Sequence, residues 1–128
     1  MEPFLSVIVN CHNGEKYLKE CISSIFRQKY DNLEIIFFDN SSTDNSKKIV
    51  ESFQNSKIRY FYNSKKLSLY KARNEAIEHA NGELIAFLDC DDWWSDDYLS
   101  SRIEHFKNKK FDFFYCNSNF FYEKKKKK

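Results

Sequence analysis

Leu84-Ile85-Ala86-Phe87-Leu88-Asp89-Cys90-Asp91-Asp92-Trp93-Trp94 is the stretch on which the fold of this chain turns. Its five consecutive apolar residues follow Gly82-Glu83 and predict a strand buried on both faces. The strand runs straight into Asp89, Asp91 and Asp92. Asp91 and Asp92 cannot be buried unpaired, because adjacent carboxylates raise each other's pKa or require a cation between them. Carboxylates delivered to the rim of a sheet can hold a hard divalent cation on oxygen. Asp89, Asp91 and Asp92 are therefore expected at a metal-and-nucleotide site. Ser95, Asp96 and Asp97 are expected to cap the helix that follows.

Upstream, a helix is expected with Leu69, Ala72, Ala76, Ile77 and Ala80 facing inward and Gly82 as its C-cap. Before it, Ile58–Tyr62 reads as a short strand. Leu33–Phe38 is an apolar strand ending on Asp39-Asn40. The hydroxyls of Ser41, Ser42 and Thr43, with Asp44, then offer an N-cap for a helix carrying Ile49, Val50 and Phe53. Phe4–Asn10 is a further β-branched, apolar strand. Asn13-Gly14 could mark a hairpin turn. Tyr17, Leu18, Cys21, Ile22, Ile25 and Phe26, however, recur at helical spacing immediately after it. Downstream, Leu99, Ile103 and Phe106 mark a helix, and Phe111–Cys116 reads as a fifth strand. Alternating strands and helices with short links predict an α/β fold, a mostly parallel sheet with helices on both faces.

In an open α/β sheet, ligands sit at the carboxyl ends of the strands. Those ends carry Asn10, Cys11, His12 and Asn13 after the first strand and Asp39-Asn40 after the second. The strand quoted above adds its three aspartates. Asp39 is expected to accept hydrogen bonds from ribose hydroxyls or a base N–H. The chain has only 2 glycines, so neither a Walker loop nor a dinucleotide-binding glycine fingerprint can be present. Phosphate at an acidic rim then needs a mediating cation. Mg²⁺ or Mn²⁺ on one or two carboxylates plus the ligand's own oxygens meets that need. Arg73, near the start of its helix, reads equally as a solvated arginine or as a cation offsetting charge on a leaving group.

With 128 residues the chain fits one domain, and 13 Phe and 8 Tyr supply apolar mass for a core. Its 21 basic and 19 acidic residues give a formal charge of +2. Lys124 to Lys128 concentrate five of the basic residues at one end, which leaves a mildly acidic body and no basic face for nucleic acid. The lysine run reads as a solvated tail able to make weak peripheral contact with an anionic membrane. Cys11, Cys21, Cys90 and Cys116 lack zinc spacing and a disulfide pattern, so thiols in a reducing compartment are the simpler account. No signal peptide and no apolar run long enough to span a membrane is evident, so a cytoplasmic location is expected, at most at the inner face of the membrane.

The segments SVIVNCHNGEKYLKECISSIFRQ, LEIIFFDNSSTDNS and KARNEAIEHANGELIAFLDCDDWW, in that order and spacing, resemble the first half of a family 2 glycosyltransferase of the GT-A fold. The resemblance implies a Rossmann-like nucleotide-sugar-binding domain over residues 1–117 and an aromatic, lysine-rich tail over 118–128. It implies that Asn10 and His12 line the base pocket and that Asp39 contacts base or ribose. Asp89-Cys90-Asp91 matches the family's D-x-D, with Asp91 or Asp92 reaching Mn²⁺ or Mg²⁺, and Arg73 matches an arginine near the donor. Asn40 stands where many members carry a second Asp, and Lys65–Tyr70 lacks the glycine common before Ala72-Arg73-Asn74. The family's catalytic base belongs to an acceptor-binding half outside the match. The expectation is an inverting enzyme moving sugar from a nucleoside diphosphate, most often uridine, to a glycan or lipid-linked acceptor hydroxyl. This chain would supply the donor and metal site and transfer poorly alone. Two other classes compete. A non-catalytic nucleotide-binding module would keep the fold alone. A phosphate-accepting receiver would need paired acids after the first strand, where Asn10-Cys11-His12 stand instead.

Overall fold

The computed structural model describes residues 1–107, 112–113 and 118–120. Four parallel strands and four helices alternate through it. They are β1 (Leu5–Cys11), α1 (Leu18–Phe26), β2 (Leu33–Asn40), α2 (Ser46–Ser52), β3 (Ile58–Asn63), α3 (Leu69–Glu78), β4 (Leu84–Phe87) and α4 (Tyr98–Lys107). The sheet order is β3-β2-β1-β4, with every pairing parallel. The α/β expectation and the choice of helix over hairpin at Asn13-Gly14 are both borne out.

The period-2 alternation of strand side chains sorts the core into two layers. Val7, Val9 and Cys11 of β1 share one face with Leu33, Ile35 and Phe37 of β2. Leu18, Ile22 and Ile25 of α1, Val50 of α2 and Leu99 and Ile103 of α4 cover that face. Ile8, Ile36 and Phe38 point the other way and meet Ala72 and Ala76 of α3. Two alanines bring the α3 backbone close to the sheet. Helices therefore lie on both faces, as expected.

Four local readings need correction. β4 is half-buried on one face and exposed on the other: Leu84 and Ala86 pack against the core, while Ile85 and Phe87 are 42% and 45% exposed. It has β1 on one side and no strand on the other among the described residues, and α3 lies mainly over β1 and β2. Leu69 is 52% exposed. Leu67 takes the inward place instead, because Asn40 holds its backbone. The hydroxyls of Ser41–Thr43 do not cap α2; the Asp44 carboxylate accepts from the Ser46 N–H at 2.9 Å and from Ser46 Oγ at 2.6 Å. Gly82 is not a left-handed C-cap, since no glycine has positive φ and α3 ends at Glu78. Gly82 is needed for close approach instead. A Cβ there would lie 2.5 Å from the Ser6 backbone N, and its own N–H donates to Ser6 Oγ.

Ser95 heads the turn into α4 through its carbonyl, which accepts from the Tyr98 N–H at 3.0 Å. Its hydroxyl donates to Asp97. Of the strand expected at Phe111–Cys116, only Asp112 and Phe113 are described, and they lie in irregular backbone. The lysine run at 124–128 lies outside the described residues.

A candidate nucleotide site at the switch point of the sheet

The chain leaves β1 toward β2 and β3, then returns to place β4 on the opposite side of β1. The gap beyond the carboxyl ends of β1 and β4 is thus the switch point, where an open parallel sheet forms its ligand crevice. The loops after β1, β2 and β4 deliver the sequence-predicted residues to this rim.

Asn10, one residue before the end of β1, points to the α3 side of the sheet. It is 7% exposed, and its Nδ2 has no hydrogen-bond partner. Arg73 approaches from α3 on the same side. Its Nη2 donates to Asp89 Oδ1 at 2.7 Å and its guanidinium lies over the Phe87 ring, while its buried Nε has no partner. Buried donors are nearly always satisfied in folded proteins. The Asn10 and Arg73 donors, on β1 and α3, are left open to acceptor oxygens from outside the chain.

Asp91 and Asp92 extend into solvent from the turn closed by the Asp92 N–H to Asp89 carbonyl bond. Partial burial, then Asp91, then Asp89 raise the Asp92 carboxyl above its ordinary value. No three-residue ligand cluster is assembled among the described residues. The donor set is two adjacent hard oxygen ligands, which suits Mg²⁺ or Mn²⁺ if phosphate oxygens and water complete the shell. Asp89 is committed to Arg73 and orients it. A cavity of about 740 Å³ opens here, lined by Arg73, Asp89, Asp91, Asp92 and Trp93, with Ser118–Phe120 of the tail segment also at its wall.

Asp39 is 1% exposed at the end of β2. Its Oδ2 accepts from the Tyr60 hydroxyl at 2.6 Å and its Oδ1 from the Ser42 N–H at 2.8 Å. Burial, then the bond to Asp39, pushes the Tyr60 phenol up, so it stays a donor. Asn40 does not face the crevice with its amide. That amide pairs in both directions with the Leu67 backbone, at 2.9 and 2.8 Å, and fastens the loop before α3. His12 is half-buried, with Nδ1 2.9 Å from the Asn40 carbonyl.

Sequence reasoning did not single out Tyr60, whose place in the alternating run Ile58–Tyr62 was the available signal. It also missed the interlock between the first two loops. The Asn13 N–H donates to Ser42 Oγ and the Thr43 N–H to Asn13 Oδ1. The Glu15 N–H donates to Asp44 Oδ2 and the Asn45 N–H to Glu15 Oε2. Asn13 and Ser41 hold positive φ of 55° and 66° within that lattice, a conformation Asn tolerates better than most residues.

Beneath the crevice, Cys11, Cys21 and Cys90 are free thiols. Cys11 Sγ donates to Ser46 Oγ at 3.6 Å; the neighbouring Cys90 lowers the Cys11 thiol, while Cys11 and burial raise that of Cys90. Burial pushes Cys21 up, and its Sγ lies 3.5 Å from the Asp89 carbonyl.

Residues 6–128 match the sequence profile of the family described as Glycosyl transferase family 2. The glycosyltransferase GlyG of Streptococcus pneumoniae is 35% identical over 114 residues, which is 88% of this chain and 38% of that protein. An Escherichia coli UDP-Glc:alpha-D-GlcNAc-diphosphoundecaprenol beta-1,3-glucosyltransferase, WfgD, is 35% identical over 118 residues, 91% of this chain and 47% of that one. The chain thus spans less than half the length of these relatives. Among solved structures, S. aureus TarS 1-349 in complex with UDP-GlcNAc superimposes with a TM-score of 0.76 at 29% identity, over 82% of this chain and 31% of that one. The mannosyltransferase PcManGT of Pyrobaculum calidifontis, in complex with GDP-Man and Mn²⁺, gives 0.75 at 25% identity, over 81% and 32%.

Proposed function

Because the chain belongs to glycosyltransferase family 2, we propose that it forms the nucleotide-sugar and metal site of an inverting glycosyltransferase. The observation that carries this reading is the meeting of unlike groups at one strand end. Arg73, with its buried orphan Nε, shares a cavity wall with the carboxylates of Asp91 and Asp92, and the orphan amide of Asn10 lies near the end of β1, the strand beside β4. A ligand with several anionic oxygens and a bound divalent cation satisfies both sets. Solved relatives in complex with UDP-GlcNAc and with GDP-Man and Mn²⁺ support the ligand class.

In this reading Asp91 and Asp92 hold Mn²⁺ or Mg²⁺, which when bound supplies charge neutralisation for a departing diphosphate. Arg73, steered by Asp89, adds a second fixed positive charge at the same place, where a preorganised donor is worth more than in water. Asp39 has lone pairs left beyond its two internal bonds for a base N–H or ribose hydroxyl, and His12 lies beside it. The acceptor is a glycan or lipid-linked hydroxyl, the class named for the E. coli relative. Its deprotonation is assigned to a base outside the described residues, so donor binding without efficient transfer is expected from this chain alone.

Calorimetric titration of UDP into the purified chain tests the proposal. Binding with Mn²⁺ that disappears with EDTA, and in Asp91→Ala/Asp92→Ala, is the expected result. A folded chain that binds UDP equally well with and without metal overturns the assignment of the carboxylates. Rapid sugar transfer by the chain alone overturns the division of labour.

A further inference from the structure

The two sulfurs nearest the acidic turn are placed as a pair. Cys11 ends β1 on the core face and is 2% exposed, whereas Cys90 sits half-buried between Asp89 and Asp91. Both converge on Gly14. A Cβ built there would lie 2.8 Å from Cys11 Sγ and 2.9 Å from Cys90 Sγ. Gly14 has no positive φ to explain its presence, so its missing side chain serves to leave room for the two sulfurs. The two sulfurs flank that one point, although 79 positions separate them in the sequence, as they do Phe4 and Glu83 at the other end of the same strands. Cys21 is fully buried and turned to the Asp89 carbonyl.

We propose that Cys11 and Cys90 are an oxidation site, a dithiol that a peroxide closes into a disulfide, fastening the acidic turn to the end of β1. The chemistry balances with hydrogen peroxide as the oxidant. One thiol attacks a peroxide oxygen, the O–O bond breaks, and a sulfenic acid and one water form. The second sulfur then attacks the sulfenic sulfur, the S–S bond forms, and hydroxide leaves with the thiol proton as a second water. Two electrons pass from sulfur to peroxide oxygen.

A disulfide holds its sulfurs at about 2.05 Å with a fixed dihedral, closer than two unbonded sulfurs can approach. Closure therefore draws Cys90 toward β1 and carries Asp91, bonded directly to it, away from its reduced position. The consequence for binding rests on the reading of Asp91 and Asp92 as the cation site; formation of the bond does not.

The reduced chain is treated with hydrogen peroxide, its remaining thiols are alkylated, and its disulfides are mapped by mass spectrometry without reduction. UDP titration with Mn²⁺ is run before oxidation, after it, and after dithiothreitol. The expected product is an intramolecular Cys11–Cys90 peptide pair two hydrogens lighter, with UDP affinity at least tenfold weaker and restored by dithiothreitol. Cys90→Ser, a nearly isosteric change, retains the affinity of the reduced chain and becomes insensitive to peroxide. A bond through Cys21 or Cys116, a bond between two chains, or sulfinic acid without a crosslink overturns the pair. A Cys11–Cys90 bond with unchanged affinity overturns the control. A reduced chain that never binds UDP sinks the functional reading alone, and the disulfide map still decides the pair.

Discussion

Tyr60 and Asp39 show how one hydroxyl can hold a candidate binding carboxylate. Tyr60→Phe removes the 2.6 Å bond and leaves Asp39 Oδ2 buried with one partner fewer. Loss of a bond to a buried charged group costs about 1–3 kcal/mol. The variant is expected to lose that much stability in urea titration, and to bind UDP several-fold more weakly because Asp39 is free to turn. Glu34 poses a different test. Burial raises its carboxyl, but bonds from Arg59, the Asn81 N–H, Ser6 and the Asn81 side chain outweigh burial and hold it below its ordinary value of 4.5. A depressed carboxyl contributes stability above its unfolded pKa and loses it as pH falls through the folded one. Melting temperature in the wild type should therefore decline below about pH 4.5, and Glu34→Gln should flatten that decline while lowering the plateau. Asp39, Asp91 and Asp92 were legible as candidates because a polar side chain ending an apolar run stands out, whereas Arg73, inside a helix, read equally as a solvated arginine. Tyr60 and Glu34 were not, because each occupies a strand position whose partner is fixed only by register.

At the scale of elements, the strands and the helical faces were legible from apolar runs and 3.6-residue spacing. Their ends were misread wherever the deciding contact came from another element. Gly82 shows this well. The sequence pattern after α3 fits a helix cap, yet the position is set by the Ser6 backbone across the sheet. Gly82→Ala would push β4 away from β1 at its start. Overpacking of this kind costs on the order of 1–3 kcal/mol. The melting temperature should fall accordingly, and amide exchange should rise first at residues 84–88. Unchanged exchange there would place the cost elsewhere. The same reasoning explains β4, whose apolar run implied two buried faces. Only the face toward α1 and α4 packs into the core, because α3 lies mainly over β1 and β2.

For the whole molecule, binding and stability are linked. A ligand at a hundredfold excess over Kd that binds only the folded state adds about 2.7 kcal/mol. In a domain of this size that moves Tm by on the order of 10 °C. UDP with Mn²⁺ is expected to give such a shift, UDP with EDTA a much smaller one, and Asp91→Ala/Asp92→Ala neither. Scanning fluorimetry reads all three on one plate. The order of the elements was legible at this scale because strand, helix and acidic end recur in sequence. The pairing of β1 with β4 was not, because nothing in either segment names its neighbour.

That pairing has a consequence in time. β1 receives β2 early, but its other edge waits for Leu84–Phe87, with Phe4 and Glu83 meeting across 79 positions. At about 5–20 residues per second of synthesis, the Val7-Ile8-Val9 run spends several seconds or more outside the ribosome with one edge bare. A holdase that shields short apolar strands would find its target there. Once β4 docks, the carboxylate turn arrives with it, so on the reading proposed above a nascent chain gains its cation site in the same step that covers the bare edge of β1.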